Sequence, residues 1–412
     1  MNLLDEVRQA LADQTADALL PPLRRGQGLE VADVEDAAAF TDRSAAAAVR
    51  LVDGRRLLVP LARDGNWRRA AASDGMSLTA LAAPAPIAVR QLASMPTIDT
   101  SCERSLEVDM SNDVRVIDDS VVAKWQLFGE IGSLAGPHVV EHLAAAGFSE
   151  MPQPLATVTW HDELLASFAC YLPGAEDGWE WMLRDIQAHA VGTIGRPDWP
   201  SAVGALTARM HRAAAQPTSV ISQPTSHIDL APLAAHYRRL LDAAEGLDAE
   251  MCDALMPRMD RFESAWELLV HAREVQALPI HGDLHAGQLL RWSGGLVVND
   301  FDGNPLMTPE QRGAPGPTAL DVAALVRSLD HVAVAAARSI NSANALDVAR
   351  TWAREARAEV LAAYLGVDGV PSLDLELLAA LESLSPLHEA VYAATYLPRW
   401  RYVPLAVLTG GW

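Results

Sequence analysis

The side chains most suited to chemistry lie together in residues 281–303, HGDLHAGQLLRWSGGLVVNDFDG. A His-Gly-Asp turn supplies Asp283, an amide follows at Gln288, and a short apolar strand leads to Asp300, with a further carboxylate at Asp302. Phosphoryl transfer from ATP needs a carboxylate that takes the proton of an acceptor hydroxyl. It also needs an amide and a carboxylate that hold Mg²⁺ against the phosphates. The full set in this order predicts phosphoryl transfer, whereas the His-Gly-Asp turn alone would be a weak signal.

Each of these residues receives a predicted role. Asp283 is the predicted base for the acceptor hydroxyl, and a helix N-cap is the competing interpretation for this residue taken alone. Gln288 is predicted to give its amide oxygen to Mg²⁺, which prefers oxygen ligands. Asp300 is predicted as the main, bridging metal ligand. Asp302 follows as a further ligand.

The two histidines of the segment are predicted as hydrogen-bonding scaffold. Mg²⁺ discriminates against imidazole, so His281 and His285 are poor metal ligands.

The chain contains a single lysine, Lys124, and arginine supplies every other basic side chain. Lys124 lies in the apolar run VVAKWQL after an Asp-Asp turn, which predicts the second strand of a hairpin. A compact ammonium on such a strand can reach ATP phosphates, and the planar guanidinium of arginine is a poor substitute. An exposed strand lysine is the alternative interpretation.

The sequence gives weaker signals for the other residues that would contact the nucleotide. No GxGxxG motif lies between the early strands, and the Ser-Asn-Asp turn that begins at Ser111 occupies that place. Its backbone N–H groups and hydroxyl are predicted phosphate donors, with an ordinary hairpin turn as an equally good interpretation. Glu141 is a predicted partner of Lys124, and Glu130 competes with it.

Composition excludes several classes of protein. The 412 residues are 50% hydrophobic and carry a net charge of −21, which argues against nucleic acid or an anionic membrane surface as partner and suits a cationic acceptor. Three scattered cysteines without CxxC spacing predict neither a zinc site nor a disulfide framework. The acidic amphipathic N-terminus does not resemble a signal peptide, and the apolar runs are too short to span a membrane. We therefore expect a cytoplasmic protein.

The first 170 residues are predicted to be rich in strands. Residues 1–95 look like a separate module with a hairpin at Asp53-Gly54, and residues near 81–89 look like a connector. Strands and one helix in residues 96–172 follow the order of a kinase small lobe. A hinge is predicted near residues 171–178.

Residues 173–412 are predicted to be mainly helical. At the hinge, the backbone groups of Cys170, Tyr171 and Leu172 are predicted to contact adenine. The predicted helices lie near residues 179–194, 200–214, 230–243, 248–275, 319–338, 343–364 and 373–396.

The chain resembles the maltokinase-like branch of the aminoglycoside phosphotransferase and choline kinase-like family. The likeness covers residues 105–412 and includes the pattern HGDxHxxN/Q…D-F-D/E. It also includes DGWE at 177–180, LDVA at 320–323 with Arg327-Ser328, and HEAVYAATYLPRWRYVPL at the C-terminus. The resemblance implies an α+β, protein-kinase-like bilobal fold. It consists of an N-terminal cap (1–95), a β-rich N-lobe (96–172) and a helical C-lobe (173–412), with ATP and Mg²⁺ as cofactors.

Two departures concern the acceptor. The maltokinase pattern has DFEG-E-P and N-R-P before a tryptophan, where this chain has DFDGNP and YLPRW. The chain is thus more similar to the bacterial glucosamine kinases of this branch, which implies transfer to the 6-hydroxyl of D-glucosamine. Glu389 and Asp302 are then candidate partners of the amino group, and Trp400 is a candidate platform for the sugar ring. A surface charge and a core aromatic residue are the plain alternatives for Glu389 and Trp400.

Three other functions stay open at this point. Maltokinase and aminoglycoside phosphotransferase activities are alternatives within the family. A nucleotide-binding pseudokinase is the alternative outside enzymes, and the intact Lys, Asp, Gln and Asp set argues against it. The predicted partners are a small amino sugar and ATP, while the sequence does not give the oligomeric state.

Overall fold

The computed structural model describes residues 2–12, 14–22, 25–26, 28–99, 102–106, 112–130, 132–272, 274–304, 307–340, 342–395 and 398–410. Contacts divide the chain into two compact units. The first comprises Met1–Ala144, Pro152–Pro173 and Met307–Gly313, and the second comprises Ala145–Met151, Gly174–Leu306 and Ala314–Trp412. One crossing between the units falls after Pro173, inside the interval where the sequence predicts a hinge. The finer division into cap and N-lobe stays a prediction, because the contacts join residues 1–95 and 96–144 in one unit.

The first unit contains two antiparallel sheets. One has the order β1-β2-β3-β4, with β9 paired to β3, and the other has the order β5-β10-β11-β8-β7-β6. The strands of the first sheet are β1 (Val31–Ala39), β2 (Ser44–Leu51), β3 (Arg56–Asp64), β4 (Asn66–Arg69) and β9 (Phe128–Gly129). Those of the second are β5 (Ile87–Gln91), β6 (Glu103–Ser105), β7 (Asp113–Ile117), β8 (Val121–Trp125), β10 (Pro154–Trp160) and β11 (Glu163–Cys170). Its helices are α1 (Leu3–Leu11), α2 (Ala16–Leu19), α3 (Ser77–Ala80), α4 (Ala135–Ala145) and α10 (Pro309–Arg312).

Both faces of the first sheet are buried. Along β2, Ala46 and Ala48 join a core with the second sheet, whereas Ala45, Ala47 and Val49 join a core with α1 and α2. Side chains of a strand alternate between faces, so a run of small apolar residues can serve two cores at once. Residues 1–95 therefore share a core with the second sheet.

Two turns of the first unit occur where the sequence predicts hairpins. The hairpin between β2 and β3 turns through Gly54, whose φ of 89° is open to glycine. The turn between β7 and β8 has positive φ at both Asp118 and Asp119, 49° and 46°, which is typical of the tight turn that matches strand twist. The connector predicted near 81–89 is partly wrong, since its last residues begin the edge strand β5.

The second unit is mainly helical, as predicted. Its helices are α5 (Gly178–Ala190), α6 (Pro200–Ala214), α7 (Ala231–Ala244), α8 (Ala249–Leu255), α9 (Met259–His271), α11 (Thr318–Ile340), α12 (Ala343–Leu365), α13 (Leu375–Thr395) and α14 (Tyr402–Gly410). Its strands are β12 (Glu176–Asp177), β13 (Ser226–Ile228), β14 (Val275–Ala277), β15 (Leu289–Trp292) and β16 (Gly295–Val298).

The single helix predicted over 248–275 is two helices in the structure. A short 3-10 turn, Met256–Arg258, separates α8 from α9 and contains Pro257. Proline lacks the N–H that a continuous α-helix requires at this position, so the helix breaks there. None of the helices in the described part of the chain is long and apolar enough to cross a bilayer.

Candidate active site

The predicted catalytic segment is built on the hairpin of β15 and β16. The two strands pair antiparallel, with Leu289 opposite Val298, and the strand predicted at 296–298 is present. Beyond this pair, the N–H of Asn299 donates to the carbonyl of Gln288 over 2.8 Å. The hairpin therefore brings the backbone of Gln288 beside the residue that precedes Asp300.

Asp300 occupies an uncommon backbone conformation. Its φ is 61°, in the left-handed region that non-glycine residues rarely adopt. The next residue, Phe301, is buried and packs against the ring of His281 with centroids 4.7 Å apart. Left-handed residues of this kind cluster at active sites, where surrounding contacts hold them against their local preference.

The two sequence turns that carry the carboxylates lie against each other. A side-chain carbon added at Gly282 would come within 3.6 Å of the Cα of Gly303. The structure thus brings the turn that ends at Asp283 against the turn that contains Asp300 and Asp302. Both Asp300 and Asp302 are half-buried.

His281 is buried and serves as scaffold, as the sequence predicted. Its Nδ1 accepts a hydrogen bond from the N–H of Asp283 at 3.2 Å, and its Nε2 lies 2.9 Å from the carbonyl of Asn299. A carbonyl can only accept, so Nε2 carries the proton and the ring is the neutral Nε2–H tautomer. With both nitrogens engaged, His281 holds the catalytic turn to the end of the hairpin.

Asp321, on α11, also binds the backbone of the turn at residues 281–283. Its carboxylate accepts the N–H groups of His281 and Gly282 at 2.9 and 2.8 Å, and Nε2 of His211 at 3.0 Å. The Nδ1 of His211 lies 2.8 Å from the hydroxyl of Tyr364. Burial alone would raise the pKa of Asp321, but the hydrogen bond and charge of His211 and the contacts with His281 lower it below its usual value.

Sequence reasoning named Asp321 only within a motif and gave it no role. The residue is separated from His281 by 40 positions, and its function depends on the packing of α11 against the loop. The only signal in the sequence was an aspartate 40 positions after the His-Gly-Asp turn.

The surroundings of Asp283 raise the pKa of its carboxyl group. Its side chain is 27% exposed, and burial raises its pKa, with a further contribution from the charge of Asp300. Positive charge on the nearby His285, His281 or His388 would lower this pKa, but the resulting shift is upward. A carboxylate with a raised pKa holds a proton more strongly than a free one, which suits general-base work.

His285 lies beside this carboxylate without bonding to it. Its Nε2 is 3.9 Å from Asp283 and 3.3 Å from the Gln288 amide, and its Nδ1 accepts the N–H of Gly287 at 3.1 Å. Burial lowers the pKa of His285, so the ring is neutral at neutral pH. This matches the predicted scaffold role, because the ring orients the short 3-10 turn that presents Gln288.

Helix α5 and helix α11 clamp that 3-10 turn. A side-chain carbon at Gly178 would lie 2.0 Å from the carbonyl oxygen of Ala286, so the start of α5 touches the turn directly. Trp181 donates from its indole nitrogen to the carbonyl of Leu289 at 3.4 Å. From α11, the hydroxyl of Ser328 accepts the N–H of Ala286 at 2.9 Å. Glycine is required at the start of α5 because no side chain fits there.

Trp400 belongs to an aromatic cluster in the second unit. Its ring is half-buried and meets the ring of Trp179 edge-on, with centroids 4.7 Å apart, and stacks on Tyr402 at 6.1 Å. Sequence reasoning missed Trp179, although it lies in the DGWE motif. Such an edge-to-face pair presents a partly exposed apolar face, which suits the flat side of a pyranose.

Glu389 is already engaged in ion pairs. Its oxygens lie 3.0 and 3.4 Å from the guanidinium of Arg327 and 2.8 Å from Nε2 of His331. Burial alone would raise its pKa, but the charges of these two partners hold the pKa of Glu389 at about 2. The predicted pairing of Glu389 with a substrate ammonium is therefore not supported by this geometry, since the carboxylate already joins α11 to α13.

His388, the neighbour of Glu389 on α13, was missed from the sequence. It is partly buried, its ring lies 5.7 Å from that of His236, and its positive charge would act on Asp283. Burial lowers the pKa of His388. It adds a third imidazole near the predicted base, after His281 and His285.

The first unit carries the predicted nucleotide-binding residues. Lys124 lies on β8, the second strand of the predicted hairpin, between Val114 on β7 and Ser167 on β11. Ser111 lies outside the described residues. Both glutamates proposed as partners of Lys124 have arginine partners in the structure: Glu141 pairs with Arg90, and Glu130 pairs with Arg312.

Two of the three predicted adenine-contacting residues already use their N–H groups. The N–H of Cys170 donates to the carbonyl of Gln153, and that of Tyr171 donates to the carbonyl of Ser120, each at 2.9 Å. An adenine-facing N–H at this segment would therefore have to come from Leu172.

Among the described residues, no three His, Cys, Asp or Glu side chains converge as a preformed metal cage. Mg²⁺ does not need one, because it usually takes one or two carboxylates and completes its shell with water and substrate phosphates. The oxygen donors of Gln288, Asp300 and Asp302 lie on one hairpin and its following turn, and this donor set fits Mg²⁺.

Comparison with individual known proteins gives consistent matches over most of the chain. No protein-family model matches it. It is 35% identical to a glucosamine kinase of Streptacidiphilus jiangxiensis, over 88% of this chain and 87% of that protein. It is 34% identical to a glucosamine kinase of Mycolicibacterium smegmatis, over 86% of this chain and 95% of that protein.

A solved structure gives the same result. It is a glucosamine kinase in complex with glucosamine, ADP and inorganic phosphate, and it matches with a TM-score of 0.77 at 30% identity, over 100% of this chain and 99% of that one. These findings confirm the predicted resemblance and the predicted fold class. The chain belongs to the glucosamine kinase family.

Proposed function

We propose that this protein is an ATP-dependent sugar kinase that phosphorylates the 6-hydroxyl of D-glucosamine. The observation that carries the proposal is the full-length similarity to glucosamine kinases, one of them determined with glucosamine, ADP and inorganic phosphate. The arrangement of the second unit supports it, since the predicted base and the predicted metal ligands lie on turns that touch each other. A cytoplasmic setting, where ATP is available, is part of the same proposal.

Asp283 acts as the general base in this reaction. It takes the proton from the sugar hydroxyl as the oxygen of that hydroxyl forms its bond to the γ-phosphorus of ATP. The bond between the γ-phosphorus and the bridging oxygen breaks, and ADP leaves with that oxygen. The raised pKa of Asp283 favours the proton transfer, and the hydrogen bond from its N–H to His281 fixes the backbone that carries the carboxylate.

Lys124 binds the phosphates of ATP in this proposal. It lies on a central strand of its sheet, flanked by two strands, so its Cα position is fixed by backbone hydrogen bonds on both sides. Its flexible side chain ends in a point charge that pairs with phosphate oxygens and lowers the barrier to transfer.

Gln288 and Asp300 would hold Mg²⁺, and Asp302 would contribute as a further ligand. When bound, the ion neutralises charge on the ATP phosphates during transfer. The chain's own part is to fix these oxygens, through the bond between Asn299 and Gln288 and the packing of Phe301 on His281.

The acceptor site is proposed to recognise the ammonium group of the sugar with a carboxylate. A buried, unpaired ammonium would cost several kcal/mol, so a carboxylate partner is expected. Asp302 remains the proposed partner, because Glu389 is occupied by Arg327 and His331. Trp400, supported by Trp179, supplies the apolar platform for the ring.

The decisive experiment measures ADP release with ATP and each of glucosamine, glucose, N-acetylglucosamine, maltose and kanamycin, with and without Mg²⁺. We expect glucosamine to be the best acceptor, with kcat/KM for glucose tenfold lower or more if one charged hydrogen bond of roughly 1.5–3 kcal/mol is lost. NMR of the product identifies the phosphorylated oxygen, and Asp283→Asn serves as the inactive control. Equal kcat/KM for glucosamine, glucose and maltose would overturn the amino-sugar assignment, and ADP release without any acceptor preference or phosphorylated product would overturn the kinase assignment.

A further inference from the structure

Four charged side chains form a buried network in the first unit, which does not contain the segment of residues 281–303. Arg115 and Glu103 are fully buried, and the side chains of Asp113 and Arg69 are 6% and 11% exposed. Two positive and two negative charges make the group neutral as a whole. Charged side chains are almost never fully buried unless they are paired, so this network has a specific reason to exist.

Arg115, on β7, lies at the centre of the network. Its Nη2 donates to Asp113 at 3.0 Å and to the carbonyl of Ala70 at 2.8 Å, and its Nη1 lies 3.6 Å from Glu103. Arg69 reaches the same carboxylate of Asp113 from β4 of the other sheet. The network therefore joins β7 to the segment that follows β4.

Ser77 extends the network to β8. Its N–H and hydroxyl donate to the two oxygens of Glu103, at 2.6 and 2.9 Å. The same hydroxyl accepts from the indole nitrogen of Trp125 at 3.0 Å. Trp125 is the residue directly after Lys124, so the chain of contacts ends one peptide away from the lysine.

The strand register places this network behind Lys124. Arg115 lies opposite Ala123, Asp113 lies opposite Trp125, and Val114 lies opposite Lys124. Successive side chains point to opposite faces of a sheet. The network and Trp125 thus occupy one face of the sheet, and Lys124 is presented on the other.

We propose that Arg115 and Ser77 are positioning residues for ATP binding, because they fix the position and register of β8, the strand that carries Lys124. Stability alone is a weak reason for the network, since buried ion pairs can often be replaced by apolar residues without loss of stability. A set of directional bonds to Ala70, Glu103 and Trp125 instead specifies one placement of β7 and β8. This inference rests on the proposed role of Lys124 in binding ATP.

The test compares Arg115→Met and Ser77→Ala with Lys124→Met and with Leu19→Ala. Leu19 lies in the core on the far side of the first sheet, so its truncation destabilises the same unit without touching the network. We expect Arg115→Met and Ser77→Ala to raise the KM for ATP by roughly three- to thirtyfold, with the KM for glucosamine unchanged. Arg115→Lys should recover part of the loss, and Leu19→Ala should lower the Tm and leave the KM for ATP unchanged.

Failures of the two proposals are distinguishable. If Lys124→Met raises the KM for ATP but Ser77→Ala and Arg115→Met, both folded, do not, the positioning role is wrong and the kinase assignment stands. If Leu19→Ala raises the KM for ATP as much as Ser77→Ala at equal loss of Tm, the network is only a stabilising element. If Lys124→Met leaves the KM for ATP unchanged, the role of Lys124 fails, and the positioning role fails with it.

Discussion

At the scale of single residues, the two carboxylates with predicted roles in catalysis, Asp283 and Asp300, are held in states that are unusual for a surface carboxylate. Burial and a neighbouring negative charge raise the pKa of Asp283, and the backbone of Asp300 adopts a left-handed conformation. Both states are unfavourable in isolation and are maintained by contacts from His281, Asp321 and Phe301. Function and stability therefore oppose each other at these positions.

Asp283→Asn should separate function from stability. We expect kcat to fall by roughly 10²–10⁴ with ATP binding retained, because the amide cannot accept the hydroxyl proton. A raised native pKa makes the ionised Asp283 destabilising above that pKa, and the effect disappears at low pH where both folded and unfolded chains hold the proton. The variant should therefore have a higher Tm than wild type near neutral pH, and the difference should shrink as the pH falls.

Turnover near the wild-type value would remove Asp283 from the mechanism. A Tm difference that grows on acidification would show that the pKa of Asp283 is lowered and not raised. Thermal denaturation without ligands over a range of pH, together with steady-state kinetics, measures both quantities.

The residue types of the site were predictable from sequence, and their supports were not. Asp283, Gln288 and Asp300 lie within one short segment, so their order alone indicates the chemistry. Asp321 and His388 reach the same loop only because α11 and α13 pack against it. Contacts over such sequence distances leave no local pattern.

At the scale of elements, the loop of residues 281–288, the proposed catalytic loop, is held between helices. Helix α5 touches it through Gly178, and α11 bonds it through Asp321 and Ser328. Helix α13 is tied to α11 by the ion pairs of Glu389. The precision of the site thus depends on how closely these helices approach.

Gly178→Ala tests this close approach. The added carbon would lie 2.0 Å from the backbone oxygen of Ala286, so α5 or the catalytic loop must shift. We expect a Tm lower by several degrees, consistent with roughly 1–3 kcal/mol for overpacking, and a clear loss of kcat. Gly195→Ala is the matched control, because no atom lies within 4 Å of a side-chain carbon there. Equal behaviour of the two variants would contradict the proposed contact.

Glu389→Gln tests whether this residue is structural. The pKa of Glu389, about 2, lies below its usual 4.5, so its ionised form stabilises the fold above the unfolded-state pKa, and this contribution is lost as the pH falls toward 2. Removing the charge leaves Arg327 buried without its main partner, which should destabilise the protein by roughly 3 kcal/mol near neutral pH and by less near pH 4. Glu382→Gln, also on α13 but paired to the more exposed Arg357, should cost less. An unchanged Tm together with a lost preference for glucosamine would restore Glu389 as the ammonium partner.

The elements themselves were predictable to different degrees. Long periodic helices such as α11 and α12 appear within a few residues of their predicted bounds. The break at Pro257 and the edge strand β5 were missed, because a helix-like pattern continues through the proline and an Ala/Pro-rich run gives no strand signal. Helix α14 was also missed, since it is apolar along most of its length and lacks a helical periodicity.

At the scale of the whole molecule, charge is distributed with an unusual choice of cation. The chain has 32 basic residues, of which Lys124 alone is lysine, against 53 acidic ones. Arginine forms the surface ion pairs and the buried network around Arg115. The ammonium group is thus kept for the one strand position where a compact point charge has a proposed use.

This composition makes a direct labelling experiment possible. An amine-reactive reagent can modify only the α-amino group and Lys124, so mass spectrometry reads the state of the lysine without interference from other side chains. We expect ATP with Mg²⁺ to slow modification of Lys124 severalfold and to leave the α-amino group unaffected, which serves as an internal control. Equal labelling with and without nucleotide would remove Lys124 from the ATP site.

The left-handed backbone of Asp300 has a consequence for laboratory evolution. Glycine adopts this conformation without the penalty of order 1 kcal/mol that a side chain carries, so Asp300→Gly should make the apo protein more heat-resistant while removing a proposed metal ligand. A library screened only for solubility or survival of heating would therefore enrich inactive sequences at position 300. Directed evolution of a heat-stable active enzyme from this chain therefore requires that every round of selection measure product formation.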